Sequence, residues 1–198
     1  MRKPPEETLE KELVLAAIDA LKVVGGERLA RIILRAAGKP EFEEGDKLPE
    51  RIPLADYFRF RDTALEILGN SFGGTAFQAG QVMMRNLKNE KVRQIERLIA
   101  RSRATMNRLP LIGQAAVLAA KGNPGIVRGT MRKDALLIKI EDCPECRGLQ
   151  RQTPFCFLTQ GLLVEFANSY LNLRVTTRET QCAALGDPFC EIKVVPLR

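Results

Sequence analysis

Three cysteines and one glutamate near the C-terminus have the residue types of a zinc site. Cys156 is followed by Glu179, Cys182 and Cys190. Thiolates and carboxylates are zinc ligands, and four of them can close a tetrahedron around the ion. The alternative is three reduced core cysteines beside an ordinary surface glutamate, because unpaired cysteine is among the most buried residue types. The spacing alone leaves both interpretations open.

Two further cysteines, Cys143 and Cys146, form a CxxC motif with three interpretations. They are a redox pair, half of another metal site, or part of a four-cysteine zinc centre with Cys182 and Cys190. The last interpretation would leave Cys156 as a core thiol. No strand–CxxC–helix pattern of the thioredoxin type surrounds the motif, which argues against the redox pair.

The elements that position these residues change character along the chain. Apolar positions at helical spacing predict helices over 6–24, 27–37, 54–69, 74–87, 90–106 and 110–120, with an exposed loop at 39–52. Strands are predicted over 125–132 and 134–142, then an apolar helix over 154–170 and a hairpin that ends with Cys190 and Val194. This order predicts an α+β fold in one domain, 1–198, in which a helical part, 1–124, packs on an antiparallel sheet in 125–198.

This layout places the candidate metal ligands unequally well. Cys156 falls in the first turn of its helix, where backbone N–H groups favour a thiolate. Cys182 and Cys190 flank a hairpin turn and can approach each other. Glu179, three positions before Cys182 on a regular strand, would point to the opposite face. A bulge near Thr180 is therefore needed to bring both side chains to one ion.

Several function classes are excluded or disfavoured by composition. The 198 residues contain no histidine, which excludes a Ser-His-Asp triad and a histidine-ligated haem. The five cysteines and the absence of an apolar signal segment or membrane span predict a cytoplasmic protein. The net charge of +7 is diffuse and lacks an aromatic-interleaved motif, so nucleic-acid binding is not expected.

The C-terminal motifs resemble those of the 4-vinyl reductase domain family over about 130–196. The resemblance rests on Glu179-x-x-Cys182 and Gly186-Asp187-Pro188-x-Cys190, on Pro154-Phe155-Cys156, and on Asp142-Cys143-Pro144-Glu145-Cys146. Members include sensor domains of aromatic-responsive transcription activators and proteins named for bacteriochlorophyll vinyl reduction. The family therefore contains both ligand-binding and reductase-associated proteins.

The resemblance implies a ligand set and an assembly. It implies one structural zinc held by Cys156, Glu179, Cys182 and Cys190, which clips the helix to the hairpin, with the CxxC pair outside the set. Four protein ligands leave no coordination position for a catalytic water, so no catalytic residues are assigned. It also implies a homodimer formed through the N-terminal helices.

Aromatic and methionine side chains are candidates for the wall of a small-molecule chamber, and the alternative for each is ordinary core. The candidates are Tyr57, Phe58, Phe72, Phe77, Met83 and Phe155. The family's chamber between helices and sheet favours the pocket for the group. Phenol sensors of the family read the ligand hydroxyl with histidine and tryptophan, which this chain lacks, so a different hydrophobic ligand is expected. Arg93, Arg97 and Arg101 form a basic stripe that meets a ligand acid or is simply a solvated face.

Two functions from different classes follow. The first is a zinc-stabilised small-molecule-binding domain, a sensor or carrier for a hydrophobic ligand. The alternative is an enzyme or accessory protein in tetrapyrrole or bacteriochlorophyll vinyl-group reduction. No nicotinamide or flavin motif is present, so in that case the reductant would come from elsewhere.

Overall fold

A computed structural model describes residues 7–86, 94, 97, 108–120 and 123–197. The helices are α1 (Lys11–Gly25), α2 (Glu27–Ala36), α3 (Leu54–Leu68), α4 (Phe72–Asn86), α5 (Leu109–Ala120) and α6 (Phe157–Leu171). The strands are β1 (Thr8–Glu10), β2 (Arg51–Pro53), β3 (Ile126–Arg132), β4 (Ala135–Glu141), β5 (Val175–Gln181) and β6 (Cys190–Pro196). The predicted α+β class, with helices on an antiparallel sheet, is confirmed.

The main sheet has the order β3-β4-β6-β5, and each neighbouring pair is antiparallel. The two central strands place Ile138 opposite Ile192. Alternate residues of these strands face the helices and are buried, whereas their neighbours are more exposed, as expected for a sheet covered on one side. The sheet therefore supplies the floor of the core.

Helix α6 lies between the sheet and α4. It is apolar around most of its circumference, which is typical of a helix buried on several sides. Leu163, Phe166 and Leu171 join the core cluster that contains the central strands. On its other side α6 meets α4 at two glycines. A Cβ on Gly80 would lie 2.2 Å from the carbonyl oxygen of Leu158, and one on Gly161 would lie 2.0 Å from that of Phe77. The two helix backbones are therefore in direct contact.

The N-terminal part differs from the predicted helix and loop in two places. Residues 8–10, predicted to be helical, form β1 because they pair with β2. The segment 39–52, predicted as an exposed loop, buries Phe42 and Leu48 among the residues of α1, α2 and α3. Short 3₁₀ turns at Pro40–Glu43 and Gly45–Lys47 carry these two side chains inward. Within the described residues, no helix is long and apolar enough to span a membrane.

Candidate metal centre and ligand chamber

Five buried thiols meet beside the start of α6, and we call them the thiol cluster. Cys143 and Cys146 lie in the turn after β4, and Cys156 immediately precedes α6. Cys182 follows β5, and Cys190 is the first residue of β6. Each of the five is at most 2% exposed. Three separate chain segments therefore supply thiols to one buried volume.

A bulge in β5 turns Glu179 towards the thiol cluster. Glu179 is opposite Ile192 and Gln181 is opposite Glu191, so Thr180 is an extra residue in the strand. The extra residue shifts the alternation, and both Glu179 and Cys182 are buried although they are three positions apart. The bulge predicted at this point is confirmed.

The sulfur spacing suits a tetrahedral metal site. Sγ of Cys156 lies 3.5 Å from that of Cys143 and 3.4 Å from that of Cys146, and Sγ of Cys182 lies 3.6 Å from that of Cys146. Zinc–sulfur bonds of about 2.3 Å place two ligand sulfurs about 3.8 Å apart in a tetrahedron. The thiols therefore need to move only a few tenths of an ångström to bind an ion.

In the part of the chain that the structure describes, two groups of four donors have all their ligand atoms within 4.8 Å of one another. The first group is Cys143, Cys146, Cys156 and Cys190, and the second is Cys146, Glu179, Cys182 and Cys190. The four predicted ligands are thus divided between the two groups. Cys143 and Cys146, which the sequence prediction leaves outside the ligand set, lie inside the same cluster.

The side chain of Glu179 fits a metal ligand best of all. Its Oε2 accepts a hydrogen bond from the backbone N–H of Cys156 at 2.9 Å. Its Oε1 is buried and has no hydrogen-bond partner among the described residues. An unpartnered buried oxygen costs about 1–3 kcal/mol, a cost that a bound cation removes. Zinc therefore fits the donors that are present.

Burial and mutual hydrogen bonding divide the protons of the site unevenly. Burial raises the pKa of the Glu179 carboxyl to about 8. A hydrogen bond from the Cys156 thiol lowers the pKa of Cys182 to about 6, with burial acting in the opposite sense. The pKa of Cys156 is raised, first by its bond to Cys143. Cys182 is thus the thiol that is already ionised at neutral pH.

Glu145, inside the CxxC motif, caps α6. Its Oε2 accepts the N–H of Leu158 at 3.0 Å and its Oε1 accepts the N–H of Thr159 at 2.9 Å, together with the Thr159 hydroxyl. These are free N–H groups of the first helical turn, where a carboxylate is favoured. Burial nevertheless raises the pKa of Glu145 to about 7.

Arg61 of α3 holds the CxxC turn from the other side. Its Nη1 donates to the carbonyl oxygens of Pro144, Glu145 and Arg147 at 3.0, 3.1 and 3.0 Å, and Arg61 is buried. The sequence prediction did not single out Arg61. The available signal was its position: Arg61 is four residues after Tyr57 and four before Leu65, on the apolar face of a predicted helix.

A cavity of about 240 Å³, which we call the chamber, lies between the helices and the sheet. Its wall is almost entirely apolar, and α5 contributes more of it than the sequence prediction anticipated. The described residues of the wall are Leu9, Leu13, Val14, Ala17, Tyr57, Met83, Met84, Ile112, Ala115, Ala116, Ala119, Ala120, Asn123, Pro124, Val127, Ile138, Ile140, Cys143, Pro144, Glu145, Leu158, Thr159, Leu162, Leu163 and Phe166.

Most polar side chains of the chamber wall lie next to the CxxC turn. Tyr57, Glu145 and Thr159 are there, whereas Asn123 belongs to the segment after α5. Burial, followed by the charge of Glu145, raises the pKa of the Tyr57 hydroxyl, which keeps it a hydrogen-bond donor at neutral pH. Cys143 belongs to both the chamber wall and the thiol cluster. The two candidate sites therefore share one turn of chain.

Of the six predicted chamber residues, Tyr57 and Met83 line the chamber. The other four are not among its described wall residues. Phe72 stacks on Phe155 at a centroid distance of 5.1 Å. Phe58 packs against the Arg61 guanidinium at 4.6 Å, and Phe77 presents its backbone to α6. Within the predicted helix 90–106 and its Arg93/Arg97/Arg101 stripe, only residues 94 and 97 are described, and Arg97 is exposed.

Residues 136–196, which contain β4, α6, the β5–β6 hairpin and all five cysteines, match the family model of the 4-vinyl reductase domain. The C-terminal third of this chain is a 4-vinyl reductase domain. The predicted resemblance is thus confirmed for the segment that carries the candidate metal ligands.

Two proteins of Methanocaldococcus jannaschii are similar to parts of the chain. The uncharacterized protein MJ0745 is 33% identical over 69 residues, which are 33% of this chain and 38% of that protein. The uncharacterized protein MJ0855 is 30% identical over 61 residues, which are 30% of this chain and 27% of that protein. The matches thus span well under half of either relative.

Solved structures share the fold over a larger part of the chain. The phenol-responsive sensory domain of the transcription activator PoxR, solved with phenol, has a TM-score of 0.55 at 17% identity and covers 73% of this chain and 75% of its own. An H-NOX protein from S. oneidensis in the Fe(II)NO ligation state has a TM-score of 0.66 at 11% identity and covers 96% and 100%. At these identities the likeness establishes the fold alone.

Proposed function

We propose that this chain is a small-molecule-binding domain of the sensor or carrier type. In this proposal a hydrophobic ligand occupies the chamber, and zinc in the thiol cluster stabilises the fold. The observation that carries the proposal is the chamber itself: an apolar cavity with its polar groups concentrated on one side is the usual form of a ligand site. The PoxR domain holds phenol in the same fold, which supports the proposal.

The size of the chamber favours a compact ligand. A cavity of 150 Å³ lined by apolar side chains accommodates benzene, so 240 Å³ suits a molecule of roughly ten non-hydrogen atoms. Haem held by histidine, as a route to H-NOX-like chemistry, is excluded because the chain has no histidine.

The polar side of the chamber suits one hydroxyl on the ligand. Tyr57 donates and the Glu145 carboxylate accepts, so a ligand hydroxyl can accept from one and donate to the other. These two residues take the place of the histidine and tryptophan that phenol sensors of the family use. The proposed ligand class is therefore a compact apolar molecule with a single hydroxyl.

Zinc, when bound, supplies a closed structural link and no catalysis. Its donors come from Cys143, Cys146, Cys156, Glu179, Cys182 and Cys190. These residues join the start of α6, the CxxC turn and the β5–β6 hairpin. Because the CxxC turn also lines the chamber, the metal would fix one wall of the ligand site.

The test is a titration with 2-naphthol, a fluorescent probe of the proposed size with one hydroxyl. The wild-type chain should bind it, and Ala116→Phe, which places a ring in the chamber, should weaken binding at least tenfold. Val117→Phe, at the next and exposed position of α5, is the matched control and should bind like wild type. Equal binding by all three chains would overturn the proposed site.

A second variant tests the polar side of the chamber. Tyr57→Phe removes one hydrogen bond, worth about 0.5–1.5 kcal/mol, and should weaken 2-naphthol binding roughly three- to tenfold. Naphthalene, which has no hydroxyl, should bind both chains equally. A loss that is the same for the two probes would show that the hydroxyl is not read by Tyr57.

A further inference from the structure

The thiol cluster contains more donors than one zinc ion uses. Five thiols and the Glu179 carboxylate form two groups of four donors, and the groups share Cys146 and Cys190. Cys143 and Cys156 occur only in the first group, whereas Glu179 and Cys182 occur only in the second. Two tetrahedra that share one edge need this number of ligands: two bridging donors and two terminal donors for each ion.

We propose that the thiol cluster is a two-metal site that binds a pair of zinc ions bridged by the thiolates of Cys146 and Cys190. Cys143 and Cys156 complete the first ion, and Glu179 and Cys182 complete the second. The inference rests on the proposed zinc-stabilised domain and extends it from one ion to two.

The short sulfur–sulfur contacts agree with this division. The contacts of Cys156 with Cys143, at 3.5 Å, and with Cys146, at 3.4 Å, both lie within the first group. The contact between Cys146 and Cys182, at 3.6 Å, lies within the second. Each contact is near the edge of about 3.8 Å that a zinc–thiolate tetrahedron requires. Cys146 contacts a terminal sulfur of each group, as a bridging ligand must.

Charge favours filling both positions. Two divalent ions against five thiolates and one carboxylate leave a net charge of minus two. A common four-cysteine zinc site, with one ion and four thiolates, carries the same net charge. With a single ion in the predicted set of four, the thiols of Cys143 and Cys146 would stay protonated and buried beside thiolates. The second ion replaces those protons, as ligand deprotonation requires.

Hydrogen bonds in the cluster are compatible with this assignment. The N–H of Ala183 donates to Sγ of Cys190 at 3.3 Å, which stabilises a thiolate at a proposed bridging position. Oε2 of Glu179 is occupied by the N–H of Cys156, so the unpartnered Oε1 is the oxygen left for the second ion.

The deciding experiment counts metal ions on the untagged full chain. Metal-free protein is reconstituted with zinc, freed of excess metal, and analysed by native mass spectrometry and elemental analysis. Two zinc ions per folded chain are expected. One ion would overturn the two-metal inference and leave the zinc-stabilised domain intact, whereas a folded chain without zinc would overturn both.

Variants separate the two positions. Cys143→Ser should lower the count from two ions to one, because it removes a terminal ligand of the first ion. Cys182→Ser should also leave one ion, and Cys146→Ser should leave none. If Cys143→Ser binds as much zinc as wild type, Cys143 is not a ligand and the inference is wrong.

A spectroscopic measurement on the wild-type chain covers the case in which the variants do not fold. Replacing zinc with ¹¹³Cd should give two cadmium resonances that are coupled to each other through the shared sulfurs. A single resonance, or two resonances without mutual coupling, would contradict the bridged arrangement.

Discussion

At the scale of single residues, the CxxC turn is held by two side chains that contribute no metal ligand. Arg61 binds three carbonyl oxygens of the turn from α3. Glu145 binds the first turn of α6 from within the motif. The positions of Cys143 and Cys146 therefore depend on a buried cation and a helix cap as well as on any metal.

Replacing Arg61 tests this dependence. Arg61→Ala leaves three carbonyl oxygens without their donor, and we expect a loss of about 3 kcal/mol in the free energy of unfolding. Urea denaturation of the zinc-loaded chain measures it. Arg59→Ala, at an exposed position of the same helix, is the control and should change stability by less than about 0.5 kcal/mol. Equal effects of the two variants would contradict the clamp.

Acid should release the metal. The folded-state pKa of Cys182 is lowered to about 6 from an ordinary value of 9.0. A lowered pKa stabilises the folded chain fully above the ordinary value, and that stabilisation is lost as pH falls through the folded pKa. Protons also compete with zinc for every thiolate, so zinc should leave between about pH 7 and about pH 5. A chromogenic chelator measures the release, and full retention at about pH 4.5 would contradict it.

At the scale of elements, the contact between α4 and α6 fixes the chamber because both helices line it. Gly80 and Gly161 permit this contact, since a Cβ on either would lie within about 2.2 Å of a carbonyl oxygen of the other helix. Separating the helices would move Met83 away from Leu162, and both line the chamber.

Gly80→Ala and Gly161→Ala should each destabilise the chain by about 2–4 kcal/mol, because the helix backbones must move apart. Gly74→Ala is the matched control: it is in α4, and its added Cβ meets no atom within 4 Å. The control should be neutral or more stable by up to about 1 kcal/mol, since alanine is the better helix former. Unfolding in urea compares the three, and similar values for all would refute the close contact.

Elements with strong local patterns were predictable from the sequence, and those made by distant pairing were not. The apolar runs of β4 and α6 and the β5 bulge were anticipated, the bulge because Glu179 and Cys182 had to share a face. β1 was predicted as helix, since its pairing with β2 leaves no local signal.

The chamber was the part of the site that the sequence described least well. Its wall is drawn largely from the alanines and leucines of α1, α5 and α6, which look like ordinary core. Of the predicted aromatic set only Tyr57 and Met83 reach it. Which apolar residues face a cavity depends on how the helices cross, and that is a property of packing and not of residue type.

At the scale of the whole molecule, the resemblance to the 4-vinyl reductase domain family predicts a homodimer. Large apolar side chains are exposed on the N-terminal helices: Val23 on α1, Ile32 on α2 and Ile67 on α3. Such residues are candidates for a buried subunit interface.

Light scattering after size-exclusion chromatography should give the mass of two chains. The double variant Val23→Glu/Ile32→Glu should shift the mass to that of one chain, because it would bury charges in the interface. Leu185→Glu, an exposed apolar position beside the β5–β6 hairpin, is the control and should leave the dimer intact. A monomeric wild-type chain at micromolar concentration would contradict the prediction.

Methionine methyl groups test most directly whether a ligand occupies the chamber, which is the central claim. Met83 and Met84 line the chamber, whereas Met131 lies on β3 outside its described wall. In a zinc-loaded chain with ¹³C-labelled methionine methyls, titration with 2-naphthol should shift the Met83 and Met84 resonances and give contacts from the probe to them, with Met131 unchanged. Saturable binding that leaves Met83 and Met84 unchanged would contradict the proposed site.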